Sequence, residues 1–303
     1  MISVMDVGGT HVTAAVVDLE AREILPGHAY RMKLNSDADP DEFVATLVDC
    51  ASHLPARPES RWAIALPGPI DYEQGIALYQ SVGKFDALYG FDLRKALTAD
   101  LPGASRISFH GDAEAFLFGE RWAGAARGHD TAVGITLGTG VGSCFLREGR
   151  VVLEGPGIAP QGRIDLLHYA GRPLEETVSR HSIRRAYRQA ADEKQNPKSP
   201  NPEAQNPDVR EIAQRAREGD RAAADVFTRT YRALGEVLAP AIEALDPTIL
   251  VVGGSISASW DLVAGPLREG LGDAVRPGRI VIERALHPDA APLLGAAYLA
   301  AGL

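Results

Sequence analysis

The strongest constraint on the fold is a repeated unit in which an apolar strand, a glycine turn and a second apolar strand follow one another. The first unit covers residues 2–18 around the turn GGTH, and the second covers residues 131–152 around LGTGVGS. Short turns between β-forming runs predict hairpins. A third glycine turn follows the buried-strand pattern of LDPTILVVGGSIS at 245–257. The units lie in separate halves of the chain, with helical patterns between them, so the sequence predicts an α/β protein.

The length of 303 residues favours two domains, because a single hydrophobic core usually stops growing below this size. Capping residues and apolar periodicity predict the helices. They are expected over 40–53, starting at Asp39, and over 92–101, 113–125, 208–218, 220–245 and 292–302. The stretch 191–208 is rich in Pro, Asn and charge, and we expect a mobile surface loop there.

Charge and composition exclude several classes of protein. A net charge of −9, without a long Lys/Arg cluster, argues against nucleic acid as a partner. No apolar run is long enough to span a membrane, and the chain begins without a signal-peptide pattern, so we expect a soluble cytoplasmic protein. Cys50 and Cys144 are far apart and fit neither a disulfide framework nor a zinc-ligand pattern.

The glycine turns need a physical reason, because glycine costs stability unless the backbone has a positive φ or approaches something closely. In MDVGGT, Gly8 and Gly9 let amides point outward and Thr10 adds a hydroxyl, a pattern suited to phosphate. Asp6 lies beside them, where it could hold Mg²⁺ through water. The alternative is a plain hairpin turn.

The second and third turns extend the same hypothesis. Gly138, Thr139 and Gly140 repeat the arrangement of the first turn and predict a second phosphate contact. Gly253 and Gly254 follow a strand where a flat adenine could lie against the backbone. Close packing of a strand on a helix is the alternative for this third turn.

The order of these turns resembles the ROK family of sugar kinases and regulators. DVGGT is similar to the family's first phosphate motif, LGTGVG to its second and LDPTILVVGGSIS to its adenosine motif. LPGPID, GDAEAFLFGE and GAAYLA follow in the family's order. The resemblance implies two actin-like (ribonuclease H-like) domains with a nucleotide and sugar cleft between them, at 1–112 plus 290–303 and at 113–289. It also implies ATP, Mg²⁺, a small-molecule sugar and a homodimer.

The same resemblance assigns a catalytic residue and sugar ligands. In GDAEAFLFGE, Asp112 matches the family's catalytic Asp, which accepts the proton of the attacking hydroxyl; a helix N-cap is the alternative role. Glu175 in LEETVS matches a sugar ligand, against the alternative of a solvated acid at a helix start. The candidate substrate-binding residues are Pro67, Gly68, Gly111, Asp112, Asp165, His168 and Glu175.

The sequence departs from the family in the half expected to bind sugar. Gly111 stands where the family usually has Asn, and GRIDLLHY places Arg163 where a Glu is expected and His168 two residues late. Asp165 or His168 could supply replacement contacts, and Arg163 could bind an anionic substituent; a structural His and an exposed Arg are the alternatives. The family's zinc-binding cysteines are absent, and no zinc is predicted.

These features predict an ATP-dependent kinase that phosphorylates a hexose or amino-hexose, at O6, with Asp112 as general base. Two alternatives remain. A noncatalytic sugar-binding or regulatory protein would keep the fold, and a kinase that uses polyphosphate would keep the mechanism.

Overall fold

The computed structural model describes residues 1–55, 60–80, 82–192, 207–275 and 278–303, which form two compact units. The first unit is Met1–Arg127 with Leu286–Leu303, and the second is Gly128–Ala285. The first unit therefore extends beyond the expected boundary at residue 112, to Arg127. Most of the predicted mobile loop at 191–208 lies outside the described residues.

The first unit is built on a five-stranded mixed sheet. In chain order its elements are β1 (Ile2–Val7), β2 (His11–Asp18), β3 (Glu23–Lys33), α1 (Pro40–Ser52), β4 (Ser60–Leu66), β5 (Ile70–Asp71), β6 (Ile76–Ala77), α2 (Leu93–Asp100), β7 (Ala104–Gly111) and α3 (Asp112–Ala123). The sheet order is β3-β2-β1-β4-β7. β1 to β3 form an antiparallel meander, whereas β4 and β7 are parallel to β1.

The second unit repeats this plan. Its elements, followed by the C-terminal helix, are β8 (Ala132–Leu137), β9 (Val141–Arg147), β10 (Arg150–Val151), β11 (His168–Tyr169), β12 (Arg172–Pro173), α4 (Glu175–Val178), α5 (Arg180–Asp192), α6 (Val209–Arg217), α7 (Arg221–Leu245), β13 (Ile249–Gly253), α8 (Trp260–Leu271), β14 (Val281–Arg284) and α9 (Ala291–Ala301). The order β10-β9-β8-β13-β14 again joins an antiparallel meander to two parallel strands.

Alternating side chains of β1 give the first sheet two packed faces. Met5 and Val7 belong to a buried cluster with α1 and α2, whereas Ile2 and Val4 pack with residues of α3 and α9. This period of two is what a strand buried on both faces requires. The helix predicted from Asp39 is confirmed, because the Asp39 side chain accepts a hydrogen bond from Glu42 N at 2.8 Å.

Helix α9 returns the end of the chain to the first unit and explains why α3 belongs there. Gly119 of α3 faces the Ala291 carbonyl, and Gly295 of α9 faces the Ala115 carbonyl, so closely that a Cβ at either glycine would collide with backbone. Two helix backbones in such contact pack as one layer. In the described parts of the chain, no helix is long and apolar enough to cross a membrane.

Candidate active site

The carboxyl ends of three parallel strands meet at one edge of the first sheet. Asp6 of β1 is in register with Ala65 of β4, which is in register with His110 of β7. The next positions lead directly out of the strands, into Pro67 and Gly68 after β4 and into Asp112 after β7. Ligands in α/β sheets commonly bind at this edge. The fold thus gathers five of the predicted site residues, Asp6, Pro67, Gly68, Gly111 and Asp112.

The first glycine turn lies at the same end of β1. Gly8 N donates to His11 O at 2.9 Å, and the exposed Thr10 hydroxyl is 3.0 Å from His11 Nδ1. Neither Gly8 nor Gly9 has a positive φ, and a Cβ at either position would meet only ordinary contacts. The turn itself therefore does not demand glycine. The close approach of a phosphate to Gly8 and Gly9 stays a prediction.

Asp6 sits in an electrostatically unfavourable place for a carboxylate. Burial and the charge of Asp112 raise the pKa of Asp6 to about 7, while the Arg31 guanidinium acts in the opposite direction. Carboxylate oxygens are the ligands that a hard cation such as Mg²⁺ prefers, and a cation would offset the charge that Asp112 places beside Asp6. Asp6 therefore fits the predicted contact to Mg²⁺ through water.

Asp112 is the first residue of α3, and Gly111 occupies the N-cap position. Asp112 is therefore not the N-cap residue of α3. Its Oδ1 nevertheless accepts a hydrogen bond from Ala113 N at 2.8 Å. The positive end of the helix dipole favours an ionised carboxylate at this position. A carboxylate has the chemistry required of a general base, and the role of Asp112 as the base stays a prediction.

Two tyrosines that the sequence did not single out hold the loop after β4. Tyr79 Oη donates to the Pro67 carbonyl at 2.5 Å, and Tyr72 Oη donates to the Leu66 carbonyl at 3.2 Å. A Cβ at Gly68 would lie 3.2 Å from Tyr72 Oη, and one at Gly111 would lie 3.6 Å from the same atom. The Tyr72 hydroxyl thus lies close to both Gly68 and Gly111, which are predicted substrate-binding residues.

Glu114 is a second carboxylate of α3 that the sequence did not assign to the site. It is half-buried, its pKa is raised by burial, and it accepts a hydrogen bond from Gly111 N. His110 lies on the other side of Gly111 in sequence, and burial lowers the pKa of its imidazole to about 4. His110 is therefore neutral at physiological pH and adds no positive charge here.

In the second unit, two of the predicted nucleotide turns touch each other. Gly254 has φ +79°, and a Cβ there would collide with the backbone of Leu137, the residue before Gly138. Close packing therefore accounts for Gly254 without a ligand. Gly138 has no positive φ, and a Cβ there would lie 3.9 Å from Ser255 Oγ, an ordinary contact. Gly254 therefore lies against the strand end that leads into the Gly138–Gly140 turn, where Thr139 is exposed, whereas Gly253 is buried.

Glu175 lies against the second glycine turn. A Cβ at Gly140 would meet the Glu175 carboxylate, which is the end of a flexible side chain and would have to move aside. The turn is also tied to the start of α5, because Arg180 N donates to Gly138 O at 3.0 Å. The fold thus places the predicted sugar ligand Glu175 next to predicted phosphate ligands.

The side chains of Arg163 and Asp165 form a salt bridge. Arg163 Nη2 donates to Asp165 Oδ2 at 2.6 Å, and Nε donates to Oδ1 at 3.3 Å. Ser143 anchors this segment on β9, since its hydroxyl donates to Gly162 O at 2.6 Å and accepts from Ile164 N at 3.1 Å. His168 lies exposed on the short strand β11. The second unit therefore orients Asp165 through Arg163.

Within the described ranges, no group of three or more His, Cys, Asp or Glu side chains is arranged to hold a metal ion. Cys50 and Cys144 are both buried, and burial raises the pKa of the Cys50 thiol to about 11. Cys50 is therefore an inert part of the first core.

Comparison with known proteins agrees with the fold and with the order of the motifs. The model of the ROK family matches residues 2–302. This chain belongs to the ROK family. The family and the two-domain, actin-like α/β fold that the sequence predicted are thereby confirmed.

Three ROK proteins illustrate the similarity. The glucokinase of Thermotoga maritima is 32% identical over 255 residues, which cover 78% of this chain and 77% of the relative. The N-acetyl-D-glucosamine kinase of Pectobacterium carotovorum is 27% identical and covers 97% of both chains. The crystal structure of a ROK glucokinase from Streptomyces griseus, in complex with glucose and AMPPNP, superposes with a TM-score of 0.78 at 25% identity, covering 100% and 99% of the two chains.

Proposed function

We propose that this protein is an ATP-dependent sugar kinase that phosphorylates a hydroxyl of a hexose or amino-hexose, at O6, with Asp112 as general base. The observation that carries the proposal is the position of Asp112, at the carboxyl end of β7 and in the same unit as the DVGGT turn, in a chain of the ROK family. The relatives named above are carbohydrate kinases, and they support the same class of reaction.

ATP is the donor that best suits the second unit. The Streptomyces griseus glucokinase was crystallised with an ATP analogue, and in this chain Gly254 of the third turn packs against Leu137, the residue before the Gly138–Gly140 turn. We assign the adenosine to the third turn and phosphates to the first and second turns, where Thr10 and Thr139 add hydroxyl donors. Mg²⁺ would neutralise phosphate charge near Asp6.

The chemistry required of the protein is modest, because phosphoryl transfer depends on positioning and charge neutralisation. Asp112 would hold the acceptor hydroxyl and take its proton as the oxygen attacks the γ-phosphorus, while the bond from that phosphorus to the β–γ bridging oxygen breaks and ADP leaves. Pro67, Gly68 and Gly111 would border the sugar in the first unit. Glu175, Asp165 and His168 would supply further contacts from the second unit, with Arg163 holding Asp165 in position.

A coupled assay of ADP release tests the proposal. The purified protein is given ATP and Mg²⁺ with a panel of hexoses, amino-hexoses and acylated amino-hexoses, and the phosphorylated position is read by NMR. We expect turnover with at least one sugar and phosphate at O6. Calorimetric binding of a sugar without turnover would favour the noncatalytic alternative, and turnover with polyphosphate in place of ATP would favour the alternative donor. The homodimer also stays a prediction, to be checked by light scattering.

A further inference from the structure

The side chain of Lys84 lies against the first glycine turn. Its Cδ is 4.0 Å from the position that a Cβ of Gly9 would occupy, and among the described residues no other heavy atom beyond the immediate chain neighbours comes as close. The ammonium group is two bonds further along the same side chain. Lys84 is half-buried and belongs to the same unit as the turn, so its charge lies within reach of the backbone at Gly9.

Phe85, the next residue, anchors the backbone at Lys84. It is 1% exposed, its N–H donates to Ser36 O at 2.7 Å, and its φ of 59° is in the left-handed region. Its ring packs against Phe43 and Tyr79, with a centroid distance of 5.3 Å to each. A residue other than glycine keeps such a φ where its surroundings hold it there. The core of the first unit therefore sets the position of Lys84.

The ammonium group of Lys84 has no counter-charge in the ranges that the structure describes, where Lys84 forms neither an ion pair nor a hydrogen bond. The nearest carboxylate in sequence, that of Asp86, instead accepts from Val82 N at 2.8 Å and from Gly83 N at 3.1 Å. Removing a charge from water is costly unless it is paired. An anion bound beside Lys84 would supply the missing pair.

The turn offers further donors at the same place. Gly8 N donates to His11 O at 2.9 Å, whereas the N–H groups of Gly9 and Thr10 donate to no acceptor in the described part of the chain. Successive backbone N–H groups in a turn make an anion-binding site. Two amides and one ammonium group are donors only, which suits a phosphate better than a hydroxyl that must also donate its own hydrogen.

We propose that Lys84 binds the phosphate chain of ATP at the first glycine turn, together with the N–H groups of Gly9 and Thr10. The inference rests on the proposed kinase function and adds a residue from outside the glycine turns. The ammonium group donates to a phosphate oxygen and offsets its negative charge during phosphoryl transfer. Its position is fixed by Phe85 before ATP binds.

Calorimetry with two nucleotides separates Lys84 from the rest of the ATP site. Lys84→Met keeps an unbranched side chain and removes the charge, and Lys84→Arg restores a positive charge. Each protein is titrated with AMPPNP and with AMP, in the presence of Mg²⁺. In Lys84→Met, the dissociation constant of AMPPNP should rise by about 10- to 100-fold, the range for losing a hydrogen bond to a charged group. Lys84→Arg should recover most of this loss, and AMP should bind all three proteins equally, because the third turn is proposed to hold its adenosine.

Lys95→Met is the matched control, because Lys95 is exposed on α2 of the same unit. It should bind AMPPNP as the unaltered protein does, and Lys84→Met should keep the unaltered urea midpoint. Unchanged AMPPNP binding in Lys84→Met overturns the inference, as does an equal loss for AMPPNP and AMP. Sugar turnover by the unaltered protein keeps the kinase proposal in either case. The absence of turnover with every sugar contradicts the kinase proposal instead, while the two titrations still decide whether Lys84 binds phosphate.

Discussion

The buried carboxylate of Glu120 offers a sharp test of how the first unit is held together. Glu120 is fully buried at the end of α3, and its Oε2 accepts from Ala125 N at 2.7 Å and from Leu286 N at 3.1 Å, while Oε1 accepts from His287 N at 2.8 Å. These amides lie where the chain leaves the first unit, near Arg127, and where it returns, at Leu286. One side chain therefore fixes both segments on α3.

The substitution Glu120→Ala leaves three amide donors without their acceptor. Each buried unsatisfied donor costs about 1–3 kcal/mol, so three would cost about 3–9 kcal/mol if none found a new partner. Water that enters the vacated space should keep the loss near the lower end, and we expect about 3–5 kcal/mol. Glu120→Gln keeps one oxygen and should lose roughly half of that amount.

Urea denaturation, followed by tryptophan fluorescence, measures these losses as changes in the free energy of unfolding. Trp122 lies two residues beyond Glu120 and reports on the same helix end. Glu73→Ala, at an exposed glutamate of the same unit, is the control and should change stability by less than about 0.5 kcal/mol. A loss below about 1 kcal/mol in Glu120→Ala would refute the role assigned to the carboxylate.

Three further predictions follow from single contacts. The pKa of Asp6 is raised from 3.8 to about 7 in the folded protein. The free energy of unfolding therefore falls as pH rises through that range, because the folded state then has to hold an ionised Asp6. Asp6→Asn should therefore make the ligand-free protein more stable by about 1–3 kcal/mol near pH 8, below the ceiling of about 4 kcal/mol from the full shift; an unchanged pH profile of urea midpoints would contradict this. Gly295→Ala should destabilise by about 1–3 kcal/mol through collision with the Ala115 carbonyl, and a variant with an unaltered urea midpoint would show that the helices can separate freely. Ser143→Ala removes two hydrogen bonds to the segment around Arg163 and should raise KM for sugar by several-fold with little change in KM for ATP; equal KM values in both proteins would exclude a positioning role.

Local patterns predicted most of the secondary structure. The helix expected over 40–53 is Pro40–Ser52, and the one expected over 220–245 is Arg221–Leu245, because caps and apolar periodicity act over neighbouring residues. The extent of the first unit was not predictable in this way. It depends on Gly119 and Gly295 bringing α3 and α9 into backbone contact across a long separation in sequence.

In the candidate site, too, residues that belong to a local pattern were predicted, and residues that meet through the fold were not. The glycine turns and Asp112 were predicted because each lies where a strand ends, and parallel strands place such ends at one edge. Tyr72 and Glu114 were not predicted, since their relation to Gly111 arises from the loop after β4 and the first turn of α3. The Arg163–Asp165 pair was missed because nothing in the sequence distinguishes a paired Arg from an exposed one.

The Asp112→Asn variant tests whether Asp112 accepts the proton of the attacking sugar hydroxyl. With the best sugar of the panel, we expect kcat to fall by about 10²- to 10⁴-fold, while the dissociation constants of sugar and ATP change by only a few-fold. Asp39→Asn, at the cap of α1, should keep full activity. Undiminished kcat in Asp112→Asn would contradict the assignment of Asp112 as the base.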